Sequence, residues 1–113
     1  MSERGDIWLA DLNPQHGTEP GKNRPVLIVQ AAALLDAEHP STVIVPLTTR
    51  LIDEAEPLRI RVPPTGNLQR ESDALIDQLR AIDNTRLTQR LAGLDAPLLG
   101  RIDAAIREVL DLV

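Results

Sequence analysis

The sequence predicts a mainly β fold, a small barrel or coiled sheet packed by one C-terminal helix. Two short apolar runs rich in β-branched residues, Val26-Leu27-Ile28-Val29 and Thr42-Val43-Ile44-Val45, read as strands buried on both faces. A third stretch, Leu58-Arg59-Ile60-Arg61-Val62, alternates strictly and reads as a half-exposed strand with two arginines on its wet face. The last stretch has Leu98, Ile102, Ala105, Ile106 and Val109 on one helical face. Several strands followed by one amphipathic helix suggest this two-layer arrangement.

The elements follow in order. Gly5 to Leu12 alternates, with Trp8, Ala10 and Leu12 on one face and Ile7, Leu9 and Asp11 on the other. Asn13-Pro14 breaks it, and Gln15 to Asn23 is a loop carrying Gly17, Pro20 and Gly21. A strand from Val26 to Gln30 follows. Pro25 is placed at its start, because proline donates no ladder hydrogen bond and pushes Arg24 toward extended geometry. Ala31 to Leu35 forms a short helical turn. Thr42 to Val45 is a strand stopping at Pro46, after which Leu47-Thr48-Thr49-Arg50 opens a polar loop. Pro63 to Asn67 is a turn. Ser72 to Ile82 is one or two strands, and Arg86 to Leu94 a helical turn and then a strand. Asp95 is the expected N-cap of the final helix, with Pro97 in its first turn.

A chain of 113 residues without an internal repeat or linker is expected to be a single domain, residues 1–113. It has no long apolar run and no signal-peptide pattern, so no membrane span is expected. The absence of cysteine excludes disulfides and thiolate chemistry and suits a cytoplasmic protein. No His and carboxylate cluster has metal-ligand spacing, so neither a metal nor another cofactor is expected. The net charge of −5 weighs against general nucleic-acid affinity. Sign distribution weighs the other way. Lys22 is the single lysine, every other cation is arginine, and the arginines crowd the first 90 residues, which leaves room for a local basic groove. Trp8 is the single aromatic and limits base stacking.

No Ser-His-Asp or Cys-His constellation and no phosphate-cradling glycine pattern is present. What remains is a set of polar groups flanking the apolar strands: Glu19, Arg24, Thr48, Thr49, Asp77, Gln78 and Arg80. Arg24 reads either as a solvated edge arginine or as a binding group where a loop enters a rigid strand. Asp77, surrounded by Leu75, Ile76 and Leu79, reads as a mid-strand carboxylate that pairs with an arginine such as Arg24 or Arg80, or does acid–base work. Thr48 and Thr49 follow a proline at a strand end and read as turn caps or as polar candidates for a site. Asp6 reads as a solvated terminal charge, and His16 as a loop histidine.

Three blocks carry a resemblance. Arg4-Gly5-Asp6-Ile7-Trp8-Leu9, with Leu12-Asn13-Pro14, Gly17-Thr18-Glu19 and Asn23-Arg24-Pro25-Val26-Leu27-Ile28-Val29, resembles the opening of the MazF/PemK family of toxin endoribonucleases. Val43-Ile44-Val45-Pro46-Leu47-Thr48 resembles its second block and Asp77-Gln78-Leu79-Arg80-Ala81-Ile82-Asp83 its third. The resemblance implies an SH3-like β-barrel of the CcdB/PemK kind with a C-terminal helix, working as a homodimer. It implies a sequence-selective, metal-independent endoribonuclease of a type II toxin–antitoxin system that cuts single-stranded RNA, messenger included, to cyclic-phosphate and 5′-hydroxyl ends. It also implies a cognate antitoxin whose flexible segment covers the RNA groove.

Carried over position by position, the resemblance makes Arg24, Thr48 and Asp77 catalytic. Glu19 matches a loop glutamate of the family, and with Lys22, Thr49, Gln78 and Arg80 it is expected to bind substrate. Many members read Glu-Gln-Gly-Gly where this chain has Glu19-Pro20-Gly21-Lys22, and Pro20 is expected to stiffen that loop. Some carry an arginine where this chain has Leu75, which shifts weight to Arg24 and Thr48. Two further readings share the fold: a gyrase-targeting toxin without enzymatic activity, and a degenerate member that only binds antitoxin.

Overall fold

The computed structural model describes residues 2–14, 16–19 and 21–113. Seven strands and two helices follow in the order β1 Asp6–Asp11, β2 Asn23–Ile28, α1 Ala32–Asp36, β3 Ser41–Thr48, β4 Arg59–Val62, β5 Ser72–Leu75, β6 Arg80–Asp83, β7 Leu87–Gly93 and α2 Ala96–Val109. The strands form one antiparallel sheet in the order β4-β5-β3-β2-β1-β7, with β6 also paired to β3. The expected mainly β fold with a C-terminal helix is the observed one.

The sheet carries a core on each face because its central strands contain unbroken apolar runs, Pro25 to Ile28 in β2 and Val43 to Leu47 in β3. Leu27, Val45 and Leu47 join Ile7, Ile60, Val62, Ile102 and Ala105 under α2. Val26, Ile28 and Ile44 join Ala10, Leu12 and Ile82 on the opposite face, where Trp8, Leu35 and Leu87 pack against them. Period-two alternation in β1 sorts its residues between the two, Ile7 to one side and Ala10 to the other. Each fully buried Val, Leu or Ile contributes about 1.5–3 kcal/mol. The α2 helix begins where expected: Asp95 accepts a hydrogen bond from Leu98 N at 2.9 Å, and Leu98, Ile106 and Val109 lean on the core beside buried Ile102 and Ala105.

Four local expectations are corrected. Pro25 is the third residue of β2 rather than its first, opposite Leu9 of β1; β2–β3 pairing starts at Val26↔Pro46, so proline occupies a stretch with a free side. Pro46 does not end β3 either. The strand's outer edge pairs with β6 at Ser41 to Ile44 and with β5 at Leu47 to Thr48, and Pro46 lies in the changeover, where no donor is demanded. The segment after β5 folds into a 3-10 turn, Ile76–Gln78, so Asp77 is an exposed turn residue and not a mid-strand carboxylate. Asp6 is 4% exposed; Arg90 Nε at 3.1 Å, Glu3 N at 2.9 Å and Trp8 Nε1 at 3.4 Å face its carboxylate, while Arg4 pairs with Asp103.

The two ends of the sheet meet through a turn. Asn67 N donates to Leu91 O at 2.8 Å, and Thr65 and Leu68 form an isolated bridge. Gly66 makes that approach possible: its φ is +52°, and a Cβ there would sit 2.9 Å from Ala92 Cβ and 3.0 Å from Leu91 O. Gly66→Ala should therefore destabilise the fold by about 1–3 kcal/mol, read as a lower denaturant midpoint at unchanged slope. A midpoint equal to wild type would refute this account of the closure.

Candidate functional site

The first two candidates lie just beyond the β2–β3 ladder, whose pairing starts at Val26↔Pro46: Arg24 in β2 and Thr48, the last residue of β3. Arg24 is half-buried, and its Nε donates to Gly21 O at 2.9 Å and its Nη1 to Leu47 O at 3.4 Å. Those carbonyls aim the guanidinium without neutralising it, and part of its five-donor fork is left for another acceptor. The Thr48 hydroxyl accepts from Arg50 N at 3.2 Å, as a turn cap does.

Around this pair lies a cleft of about 480 Å³ whose lining includes Lys22, Asn23, Arg24, Thr48, Thr49, Arg50 and Ser72. Three cations and three hydroxyls converge there, and no carboxylate is among the lining residues. Burial, and then repulsion from Arg50, pull the Arg24 pKa below the ordinary guanidinium value. It stays a cation at neutral pH, poorly hydrated and without an acidic partner among the described residues. Such a site favours an anion with several acceptor oxygens. Lys22, exposed at the rim, has φ +67°, and its amide is held by Asn13 Oδ1 at 2.7 Å.

The other candidates lie elsewhere. Glu19 pairs with Arg80 at 3.5 Å, tying the loop before β2 to β6, and Arg80 Nη1 is buried without a hydrogen-bond partner. Asp77 and Gln78 sit on the 3-10 turn and are not among the residues lining the cleft. Neither Asp77 nor Glu19 hydrogen-bonds Arg24 among the described residues. The expected stiffening by Pro20 lies outside the described residues.

Sequence reasoning missed two features. Arg50, two residues past Thr48, is a cleft cation; its position directly after a strand-terminal Thr-Thr pair was the available signal. The buried carboxylate is Asp73, not Asp77: it is 1% exposed, with Arg61 Nε at 2.6 Å and Arg59 Nη1 at 3.2 Å. The two arginines expected to face water are thus its partners, and Arg61 lies directly across the β4–β5 ladder from it. This cluster borders a second depression of about 360 Å³, lined also by Asp53, Glu54 and Glu56, so that four carboxylates and two guanidiniums face it.

Burial alone would raise the Asp73 pKa; hydrogen bonds from Ile52 N, Arg61 and Arg59 outweigh it and hold the carboxyl below its usual range. A depressed folded-state pKa gives stability that is present above the unfolded value of about 3.9 and is lost as pH falls through the folded one. The melting-temperature gap between wild type and Asp73→Asn should therefore be wide at pH 6 and narrow as pH drops below about 4. A gap independent of pH would contradict the ionised, paired state.

Comparison with known proteins shows the family of the chain. The sequence model for "PemK-like, MazF-like toxin of type II toxin-antitoxin system" matches residues 3–110. The chain is 30% identical over 112 residues to Endoribonuclease EndoA of Bacillus subtilis, covering 98% of this chain and 96% of that protein. It is 34% identical over 108 residues to Endoribonuclease MazF of Staphylococcus saprophyticus, covering 94% and 88%. In structure it is similar to MazF from Deinococcus radiodurans, with a TM-score of 0.80 at 23% identity over 98% of this chain and 97% of that one. It also matches a mycobacterial endoribonuclease solved in complex with its cognate antitoxin, with a TM-score of 0.77 at 20% identity over 100% and 98%.

Proposed function

The chain belongs to the PemK-like, MazF-like toxin family of type II toxin–antitoxin systems, and from that premise we propose that it is an endoribonuclease that cuts single-stranded RNA at selected sequences without a metal ion. The observation that carries the proposal is the cleft that Arg24 and Thr48 line together with two further cations and no carboxylate.

Metal-free cleavage needs charge stabilisation and two proton transfers. The RNA 2′-hydroxyl gives its proton to a base as it attacks the adjacent phosphorus, the bond to the 5′-oxygen breaks, that oxygen takes a proton from water, and the products carry a 2′,3′-cyclic phosphate and a 5′-hydroxyl. DNA lacks the nucleophile and should not be cut. Arg24 meets the negative charge that builds on the phosphorane oxygens, with its fork already aimed by Gly21 O and Leu47 O. Its charge persists at every physiological pH, so it does not act as the base. The Thr48 hydroxyl donates to a phosphate oxygen while accepting from Arg50 N. Because the described lining holds no carboxylate, the 2′-hydroxyl proton goes to a group outside those walls, Glu19 on the preceding loop or Asp77 on the 3-10 turn. Lys22, Thr49, Gln78 and Arg80 are assigned to RNA contact; with no aromatic ring in the cleft, bases are read by hydrogen bonds rather than by stacking.

The test is cleavage of a long single-stranded RNA in EDTA. Discrete fragments with 5′-hydroxyl ends are expected from the wild type. Arg24→Ala should lose at least about a hundredfold in rate while keeping its fold. Of Glu19→Gln and Asp77→Asn, the variant whose pH–rate profile loses its acidic limb identifies the base. A fully active Arg24→Ala protein would sink the assignment.

We also infer a homodimer and a cognate antitoxin as partners. Leu110 and Leu112, 50% and 58% exposed beyond α2, give the helix end apolar surface for self-association. The unpaired cations of the cleft suit an acidic antitoxin segment as well as RNA. Light scattering at micromolar concentration should give twice the 12.4 kDa chain mass; a monomer would remove the dimer from this reading.

A further inference from the structure

Asp73 joins the walls of the two depressions. It pairs in register with Thr48 of β3 on one side and Arg61 of β4 on the other. Its Oδ2 accepts from Ile52 N at 2.9 Å and from Arg59 Nη1 at 3.2 Å, and its Oδ1 accepts from Arg61 Nε at 2.6 Å. The same Arg59 Nη1 donates to Arg50 O at 2.8 Å, and Arg61 Nη2 donates to Asp53 Oδ1 at 2.7 Å. The stretch 50–53 is thus held at the Arg50 carbonyl, the Ile52 amide and the Asp53 carboxylate.

Apolar burial does not hold this stretch. Leu51 and Ile52 are 40% and 55% exposed, and Arg50 and Asp53 are exposed as well. Its shape depends on polar anchoring centred on one buried carboxylate. What that shape delivers is the Arg50 side chain, which lines the cleft beside Arg24 and pairs with no acid among the described residues. Two neighbouring guanidiniums without a counter-ion repel one another. Phosphates of a polyanion are the ligand that relieves such a pair.

We propose that Arg50 binds an RNA phosphate flanking the one held by Arg24, and that Asp73 is the positioning residue that sets it there through Arg59 and the Ile52 amide. This rests on the reading of the cleft as an RNA site. Arg50 contributes to affinity and strand placement, and Asp73 acts through Arg50 without touching RNA.

The measurement is binding of a 2′-O-methylated copy of the cleaved sequence, which cannot supply the nucleophile, as a function of salt. Each phosphate contact on a single strand contributes about 0.7 to the slope of log affinity against log salt. Arg50→Ala should lower that slope by about 0.7 and weaken binding about tenfold, and Arg50→Lys should restore the slope. Arg59→Met keeps the apolar stem but loses the donors; it should reproduce the Arg50→Ala loss, and the double variant should bind no more weakly than Arg50→Ala alone. Asp73→Asn should behave the same way, and if it fails to fold, Arg59→Met carries the test. Wild-type affinity and slope in Arg50→Ala would overturn the proposal, as would additive losses in the double variant. An active Arg24→Ala enzyme would instead overturn the underlying reading, so the two failures are distinguishable.

Discussion

The pairing of β2 with β3, apolar on both faces, sets the geometry of the molecule. Leu27 and Val45 lie opposite one another in that ladder and bury into the core under α2, while Ile28 and Ile44 bury into the other core. A slip of one residue would send each side chain to the opposite face, so the register is strongly specified. The same pairing brings Arg24 and Thr48 to one cleft just beyond the end of the ladder. The cleft's geometry therefore follows from aliphatic packing some residues away, and a cavity near Ile28 or Val45 would threaten the alignment of groups it never touches.

Two charge clusters share the β3–β5 corner and are built on opposite logic. Around Asp73 a buried carboxylate is matched by two guanidiniums and a backbone amide, so the desolvation cost is offset and the corner is rigid. Around Arg24 the cations have no acidic partner among the described residues, and the Arg24 pKa is drawn down by burial and by Arg50. The matched cluster has little left to offer a ligand. The unmatched one retains donors and field for an anion, and its place on the end of a stiff strand keeps reorganisation small when that anion arrives.

The strands, the final helix and its Asp95 cap were legible in the sequence because each rests on a local pattern: β-branched runs, strict alternation, helical spacing. The candidates Arg24 and Thr48 were legible from their blocks, and the structure sets them together. Asp77 and Asp73 show where local reading stops. Both are acids within Asp73-Ala74-Leu75-Ile76-Asp77, four residues apart in an apolar context. Which one is buried depends on the 3-10 turn that follows β5 and on Arg59 and Arg61 arriving from β4, and neither is written locally. The prolines misled for a related reason. Pro25 and Pro46 were read as strand ends, yet each is tolerated inside a strand because pairing on one edge is absent or changing hands at that point.

Lys22 has one further consequence. It carries the chain's single ε-amine, and that amine stands exposed at the rim of the cleft, while every other side-chain cation is a guanidinium inert to acylation at neutral pH. Amine-directed acylation of lysine is thus confined to the rim of that cleft. It would neutralise one charge of three while leaving the two arginines intact, and the same ε-amine can carry a fluorophore or cross-linker that reports on whatever enters the cleft.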